Sequence, residues 1–468
     1  MLIRFICLVL SLMQVLSFRI VSIGKSQAIG VNKYKEYQTF EGFGTSSAWW
    51  SQNIEDEKLA REIARLLYDK ETGLGLKTYR FNVGAGEADR EDSRIVYPSR
   101  QTHSFYYYNE ETKQWEYDFT RDENAVRMMD FALEYGAEEI ILFCNSPHYS
   151  MCANGHASGG FEKKENNLPE ENYQAFVDYL LTIADHFVEE GYPVKAISPI
   201  NEPQWDWGGD WVSQEDCHYD VEQCAKLLEL FATTMKARGC KYELRMPESG
   251  ELSEPYYDYI DRVLESEILR DYCSYYSGHS YWMDFRIPEK TATGNKFKEQ
   301  YPGIKLEMSE WCELPLTLDN NSIDSGIYMA NVIIQDLKYL GAVSWCSWTA
   351  VNGDGLMDID NGNLKLFNRY NAYMHFSRFI KPGAVRIDTM NNKEDTQIES
   401  VAFKDGDSII LVLVNNAGDS QKIEFSGMSG KYEIYLSDAT HNCEKYQTGS
   451  MLLSHEMPPR SIETIIVR

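Results

Sequence analysis

Two glutamates carry the chemistry that this chain can do. Glu202 ends the run Ile197-Ser198-Pro199-Ile200-Asn201-Glu202, and Glu310 ends Ile304-Lys305-Leu306-Glu307-Met308-Ser309-Glu310. Each run is apolar or alternating, the pattern of a strand. A carboxyl at the C-terminal end of a barrel strand lies on the catalytic face of such a fold. Two carboxyls over one cleft are the minimum equipment for cutting a glycosidic bond.

The residues around them sharpen this reading. Pro203 disfavours the helical region at Glu202, and Asn201 is placed to hydrogen-bond a sugar 2-hydroxyl, a contact that strengthens in the transition state. The plain alternatives are a loop glutamate capping the next helix and a surface glutamate in an acidic stretch. Position argues against the second: Glu307 falls in the strand body and Glu313 in the following loop. An ionised Glu310 needs donors nearby, and His279 and Tyr281, at and just beyond the sixth strand segment, are the candidates.

Other polar and aromatic groups cluster at strand ends. Trp49 and Trp50 follow the first segment, Arg80 lies in the second, Asn145 and His148 follow the third, and Trp345 and Trp348 fall in the eighth. Trp205, with Trp207 and Trp211 behind it, reads as a cleft wall. Such groups at one rim are what a sugar subsite needs, although aromatic rings also fill cores. Arg80 either orients a catalytic carboxylate or forms a structural ion pair.

The elements that must position these residues recur as strand followed by helix. Strand segments fall at 41–46, 78–83, 139–144, 195–200, 242–247, 275–279, 304–309 and 342–348, the fifth being the weakest because it opens on a polar residue. Amphipathic stretches at 57–69, 122–135 and 173–190 lie between them. Eight such repeats predict an α/β fold, a parallel (β/α)8 TIM barrel over 41–378. Glu202 then follows the fourth strand and Glu310 the seventh, across one mouth.

Beyond residue 378 the pattern changes to short alternating segments at 397–403, 408–414, 421–425 and 461–467, separated by turn residues. These predict a side β-sandwich over 379–468, to which residues 25–40 can lend a strand. Residues 1–24 read as a secretory signal: a basic start, the apolar run 5–16, and small residues at Ser22-Ile23-Gly24. A secreted or periplasmic location follows, with no membrane span in the mature chain.

Composition narrows the partners. A formal net charge of -27 repels a phosphate backbone, so nucleic-acid binding is excluded, and a neutral glycan is easier to accommodate than a polyanion. Of the 10 cysteines, Cys7 leaves with the signal, so an odd number remains. Cys217 and Cys224 are close enough in sequence to bridge, whereas Cys144 and Cys346 read as buried thiols. No metal-binding spacing occurs, and the chemistry needs no cofactor. The Asp- and Asn-rich run 353–363 lacks the EF-hand pattern and reads as a solvated acidic loop.

These pieces together resemble glycoside hydrolase family 30. The matching stretches are Phe40-Glu41-Gly42-Phe43-Gly44-Thr45-Ser46-Ser47-Ala48-Trp49-Trp50, Tyr79-Arg80-Phe81-Asn82-Val83-Gly84, Asn145-Ser146-Pro147, Ser198-Pro199-Ile200-Asn201-Glu202-Pro203, Ser309-Glu310, and His375-Phe376-Ser377-Arg378-Phe379-Ile380-Lys381-Pro382-Gly383. The resemblance implies a retaining hydrolase with Glu202 as acid/base and Glu310 as nucleophile. The Gly44-Thr45-Ser46-Ser47-Ala48-Trp49-Trp50 stretch is most similar to the endo-β-1,6-galactanase group, which implies a galactan or arabinogalactan side chain as the polysaccharide or oligosaccharide substrate. His148-Tyr149-Ser150 depart from that group. The competing expectations are a β-1,6-glucanase, xylanase or glucosylceramidase-like hydrolase of the same family and, from another class, a non-catalytic glycan-binding protein.

Overall fold

The structure is a computed structural model that describes residues 27–392 and 397–468. The apolar run 5–16 and Ser22-Ile23-Gly24 lie outside the described residues. Among the described residues, no helix is long and apolar enough to cross a membrane. The chain divides into two units. Among the described residues, one holds Gly42–Thr317 and Gln335–Leu366; the other holds 27–41, Leu318–Ile334 and those from Phe367 to Arg468.

The first unit is the barrel. Its strands are Gly42–Ser46, Thr78–Asn82, Glu139–Phe143, Val194–Ser198, Glu243–Leu244, Tyr275–His279, Lys305–Glu310 and Ser344–Ser347. They pair in parallel, the first lying between the second and the eighth, as in Thr45↔Tyr79 and Trp345↔Phe43. The ring closes between the fifth and sixth strands through a bridge at Ser249↔Gly278, where His279 N–H donates to Ser249 O at 2.7 Å. Most strand residues are buried on both faces, which is why they read as near-continuous apolar runs. Gly44 lets the first strand approach the second: a Cβ there would sit 2.7 Å from Thr78 O and 2.8 Å from Cys346 Sγ.

The helices follow their sequence spacing. Glu57–Tyr68 starts at Asp56, whose side chain accepts from Leu59 N–H, and buries Ala60, Ile63, Ala64, Leu67 and Tyr68 along one stripe. Part of the expected acidic loop is instead a hairpin, Met357–Asp360 against Asn363–Leu366. Its turn is Asn361-Gly362, both at positive φ (50° and 78°), the two-residue turn that suits strand twist.

The second unit contains a nine-stranded β structure with the core of a sandwich. Strand Gln27–Thr39 runs antiparallel to Val385–Asn391 and parallel to Gln421–Ser426. Ile29, Ile387, Leu411, Leu413, Ile423, Ile434 and Ile465 fill the interior. In Gln421–Ser426, Ile423 and Phe425 point inward while Lys422 and Glu424 are exposed, the period-two alternation of a half-buried strand.

The division differs from a boundary at residue 378. Helix Asn368–Ser377 belongs with the sandwich strands because His375, fully buried, bonds to Thr464 Oγ1 at 2.9 Å and Ser437 Oγ at 2.8 Å. Cys217 and Cys224 do not bridge: both are buried free thiols, Cys224 on the inner face of helix Val221–Arg238.

Candidate active site

Glu202 and Glu310 stand at the C-terminal ends of the fourth and seventh barrel strands, and both are buried. Oxygens of the two carboxyls and a ring nitrogen of His279 all lie within 4.8 Å of one another. Glu202 has φ 44°, in the left-handed region, rather than the extended region that Pro203 favours. That conformation is costly for a side chain other than glycine. It is held by three backbone contacts: Glu202 N–H donates to Glu248 O at 2.8 Å, and Glu202 O accepts from Trp207 Nε1 at 2.8 Å and from Trp205 N–H at 3.2 Å. Gly250 makes room beside the carboxyl; a Cβ there would sit 2.6 Å from Glu202 Oε1.

A buried charge network lies under the pair. Arg80 Nη2 donates to both oxygens of Glu248, at 3.0 and 2.8 Å, and Nη1 reaches Glu310 Oε2 at 3.4 Å. His279 places Nδ1 3.0 Å from Glu202 Oε1 and Nε2 3.2 Å from Glu248 Oε2. Tyr281 O–H donates to Glu310 Oε1 at 2.9 Å.

Electrostatics follows from this layout. Burial works against charge on Glu248, yet Arg80 and His279 hold its carboxyl well below the usual range. Burial also opposes charge on His279, but Glu310, Glu202 and Glu248 pull it up to about 10, so it is an imidazolium at neutral pH. Burial pushes Glu310 up to about 7, against His279 and Arg80 and with a further push from Glu202. Burial holds the Tyr281 phenol well above its ordinary value, so it remains a donor. Two cations, Arg80 and His279, thus face the carboxyls of Glu202, Glu248 and Glu310. The cluster is compact enough to surround a metal ion. However, a doubly protonated His279 spends both ring N–H groups on carboxylates and has no lone pair to offer.

Above the pair opens a cleft of about 390 Å³. Trp49, Asn201, Trp205, Tyr281 and Trp348 line it, together with Arg100, Trp207, Trp282 and Asp354. Trp49 meets Trp348 edge-on at 5.1 Å, and Trp205 leans on Trp282 at 5.0 Å. Asn201 Oδ1 meets no hydrogen-bond partner among the described residues.

Other expected ligands of the substrate lie elsewhere. Arg80 and His279 are wholly buried beneath the carboxyls, where they act on Glu310, Glu202 and Glu248 rather than on a sugar. Trp50 is buried and donates to Ser46 O at 2.9 Å. Asn145 is buried against Asn82 Oδ1 at 3.1 Å. His148 packs among Tyr106, Trp115 and Tyr149, where burial drives its pKa down to about 3 and leaves it neutral. Trp345 is fully buried and donates to Asp336 Oδ2 at 2.9 Å. None of these four lines the cleft. Trp211 is exposed and does not line the cleft.

Glu248 escaped the sequence reading although it too follows a barrel strand. The signal was its strand-end position, masked by a fifth strand only two residues long. Arg100 sits in the long connection between the second and third strands and had no signal.

Comparison with known proteins agrees with this geometry. The family description O-Glycosyl hydrolase family 30 matches residues 26–359, and Glycosyl hydrolase family 30 beta sandwich domain matches residues 383–465. The chain belongs to glycoside hydrolase family 30. This family 30 hydrolase is 25% identical over 426 residues to an endo-beta-1,6-galactanase of Hypocrea rufa, covering 84% of the chain and 82% of the relative. It is 24% identical over 359 residues to the glucuronoxylanase XynC of Bacillus subtilis, covering 72% and 75%. A solved structure of a conserved exported protein from Bacteroides fragilis superposes with a TM-score of 0.83 at 21% identity, over 94% of this chain and all (100%) of that one.

Proposed function

We propose that this family 30 hydrolase is a secreted, retaining endo-β-1,6-galactanase that cleaves galactan and arabinogalactan side chains. One observation carries the retaining mechanism: the facing oxygens of Glu202 and Glu310 are within 4.8 Å of each other. Retaining enzymes hold their carboxyls roughly 5–5.5 Å apart, whereas inverting enzymes leave roughly 6.5–9.5 Å for an intervening water. In this reading Glu310 attacks the anomeric carbon while Glu202 protonates the departing glycosidic oxygen. The resulting glycosyl ester at Glu310 is then hydrolysed by a water from which Glu202 takes a proton. Tyr281 and Arg80 hold Glu310 in line, and His279 holds Glu202. The galactan assignment rests on the similarity to the Hypocrea rufa enzyme, and secretion on the apolar run at 5–16.

NMR of the anomeric protons during early hydrolysis tests the mechanism, with the β-anomer expected to appear first. An initial α-anomer overturns it. Product analysis on arabinogalactan side chains, beside β-1,6-glucan and xylan, tests the specificity. Preferential cleavage of glucan or xylan overturns the galactan assignment and leaves the mechanism standing.

A further inference from the structure

A line of ring and guanidinium contacts leaves the cleft along one rim. Trp49 lines the cleft, and the Arg100 guanidinium lies over its ring at 4.8 Å. Arg100 also lies over the Tyr97 ring at 5.2 Å, and Tyr97 meets Trp211 edge-on at 6.0 Å. The outer members are open to solvent: Tyr97 is 45% exposed and Trp211 63%. Arg100 makes no ion pair among the described residues, so its N–H donors are not spent on a carboxylate.

The segments bearing these residues are tied together rather than hanging free. Ile95 bridges to Val212, and Val96 N–H donates to Val212 O at 3.0 Å. Arg94 Nη2 clamps the second segment through Gly209 O at 2.5 Å. Ser213 and Gln214, just past Trp211, line the cleft themselves. The exposed rings are therefore continuous with the catalytic cleft and fixed relative to it.

We infer that Tyr97 and Trp211, with Arg100 between them and Trp49, form a remote subsite for a distal residue of the same glycan chain. The flat faces suit the C–H face of a neutral pyranose, and the guanidinium suits its hydroxyls. Such a site favours long substrates and cleavage within the chain. The inference rests on the hydrolase reading above and deepens it, since linkage and subsite can fail separately.

The test is a chain-length series on the full protein, using β-1,6-linked galacto-oligosaccharides of increasing length and the polymer. If the wild-type protein cleaves a different glycan, the same series is run on that glycan. Trp211→Ala should lower kcat/KM for the polymer about tenfold, which is the effect of one aromatic contact. The loss should shrink steadily as the substrate shortens, and Trp211→Tyr should restore part of it. Equal loss at every length, or no loss on the polymer, overturns the inference. Because Trp211 is exposed, the variant's melting temperature should match wild type, and a large drop would assign the effect to folding and also overturn it.

Discussion

His279 Nδ1 lies 3.0 Å from Glu202 Oε1, and the same ring reaches Glu310 Oε2 from Nε2 at 3.6 Å. One imidazolium therefore touches both carboxyls of the cleft. Burial sets Glu310 at about 7, and above that pH it is a carboxylate able to attack. Turnover should accordingly rise as pH climbs through about 7, because the attacking carboxyl must be ionised. His279 is cationic up to about 10 and eases ionisation of Glu310. Removing that charge in His279→Gln makes ionisation of Glu310 harder, so the acidic limb of the kcat/KM profile should move to higher pH. A limb that stays in place or moves down refutes this role.

Tyr281→Phe deletes the O–H that donates to Glu310 Oε1 at 2.9 Å and keeps the ring. Loss of one preorganised donor typically costs about 10²-fold in kcat. Steady-state kinetics should show that fall with a near-normal melting temperature. Unchanged kcat would mean that Glu310 does not depend on this bond.

Gly250→Ala places a methyl 2.3 Å from Trp205 Nε1 and 2.6 Å from Glu202 Oε1. The carboxyl and the indole have to shift, and a misplacement of about 1 Å can cost about 10²-fold in rate. The expected result is a folded protein, by circular dichroism, with kcat reduced by about that factor.

Lys290 and Asp336 form a fully buried pair at 2.7 Å, and Asp336 also accepts from Ser280 and Trp345. Asp336→Ala strands the ammonium without a partner. Breaking a buried pair from one side costs about 3–5 kcal/mol, to be read as a lower urea midpoint. A midpoint within error of wild type would contradict the burial.

The barrel was legible because strands buried on both faces write apolar runs, and eight of them alternate with amphipathic stripes. The fifth was the exception. Only Glu243–Leu244 is regular strand, and Arg245 within the segment pairs with Glu307 at 2.7 Å and with Glu243. Charge in that segment made its strand the weakest of the eight to read and masked Glu248, just past its end. Sandwich strands Glu444–Gly449 and Ser454–Met457 were not readable, since most of their residues are polar.

Within the candidate site, Glu202 and Glu310 were readable as strand-end carboxyls. The division of the tryptophans was not. Trp345 and Trp348 belong to one strand segment, but side chains an odd number of positions apart project to opposite sides. Trp345 turns toward Asp336, while Trp348 reaches the cleft. In a strand buried on both sides, residue type alone does not say which side is which. Arg100 and Trp282 come from long connections, where no periodicity exists to read.

Strand Gln27–Thr39 has a consequence for biosynthesis. It leaves the ribosome before any of the barrel, yet Ala28 N–H finds its acceptor in Asn392, 364 positions later. The sandwich unit therefore stays incomplete until Asn392 has been made, and its leading edge must be kept from sticking to other nascent chains in the meantime. The residues of the barrel unit end at Leu366, so all of them are made before the later sandwich strands.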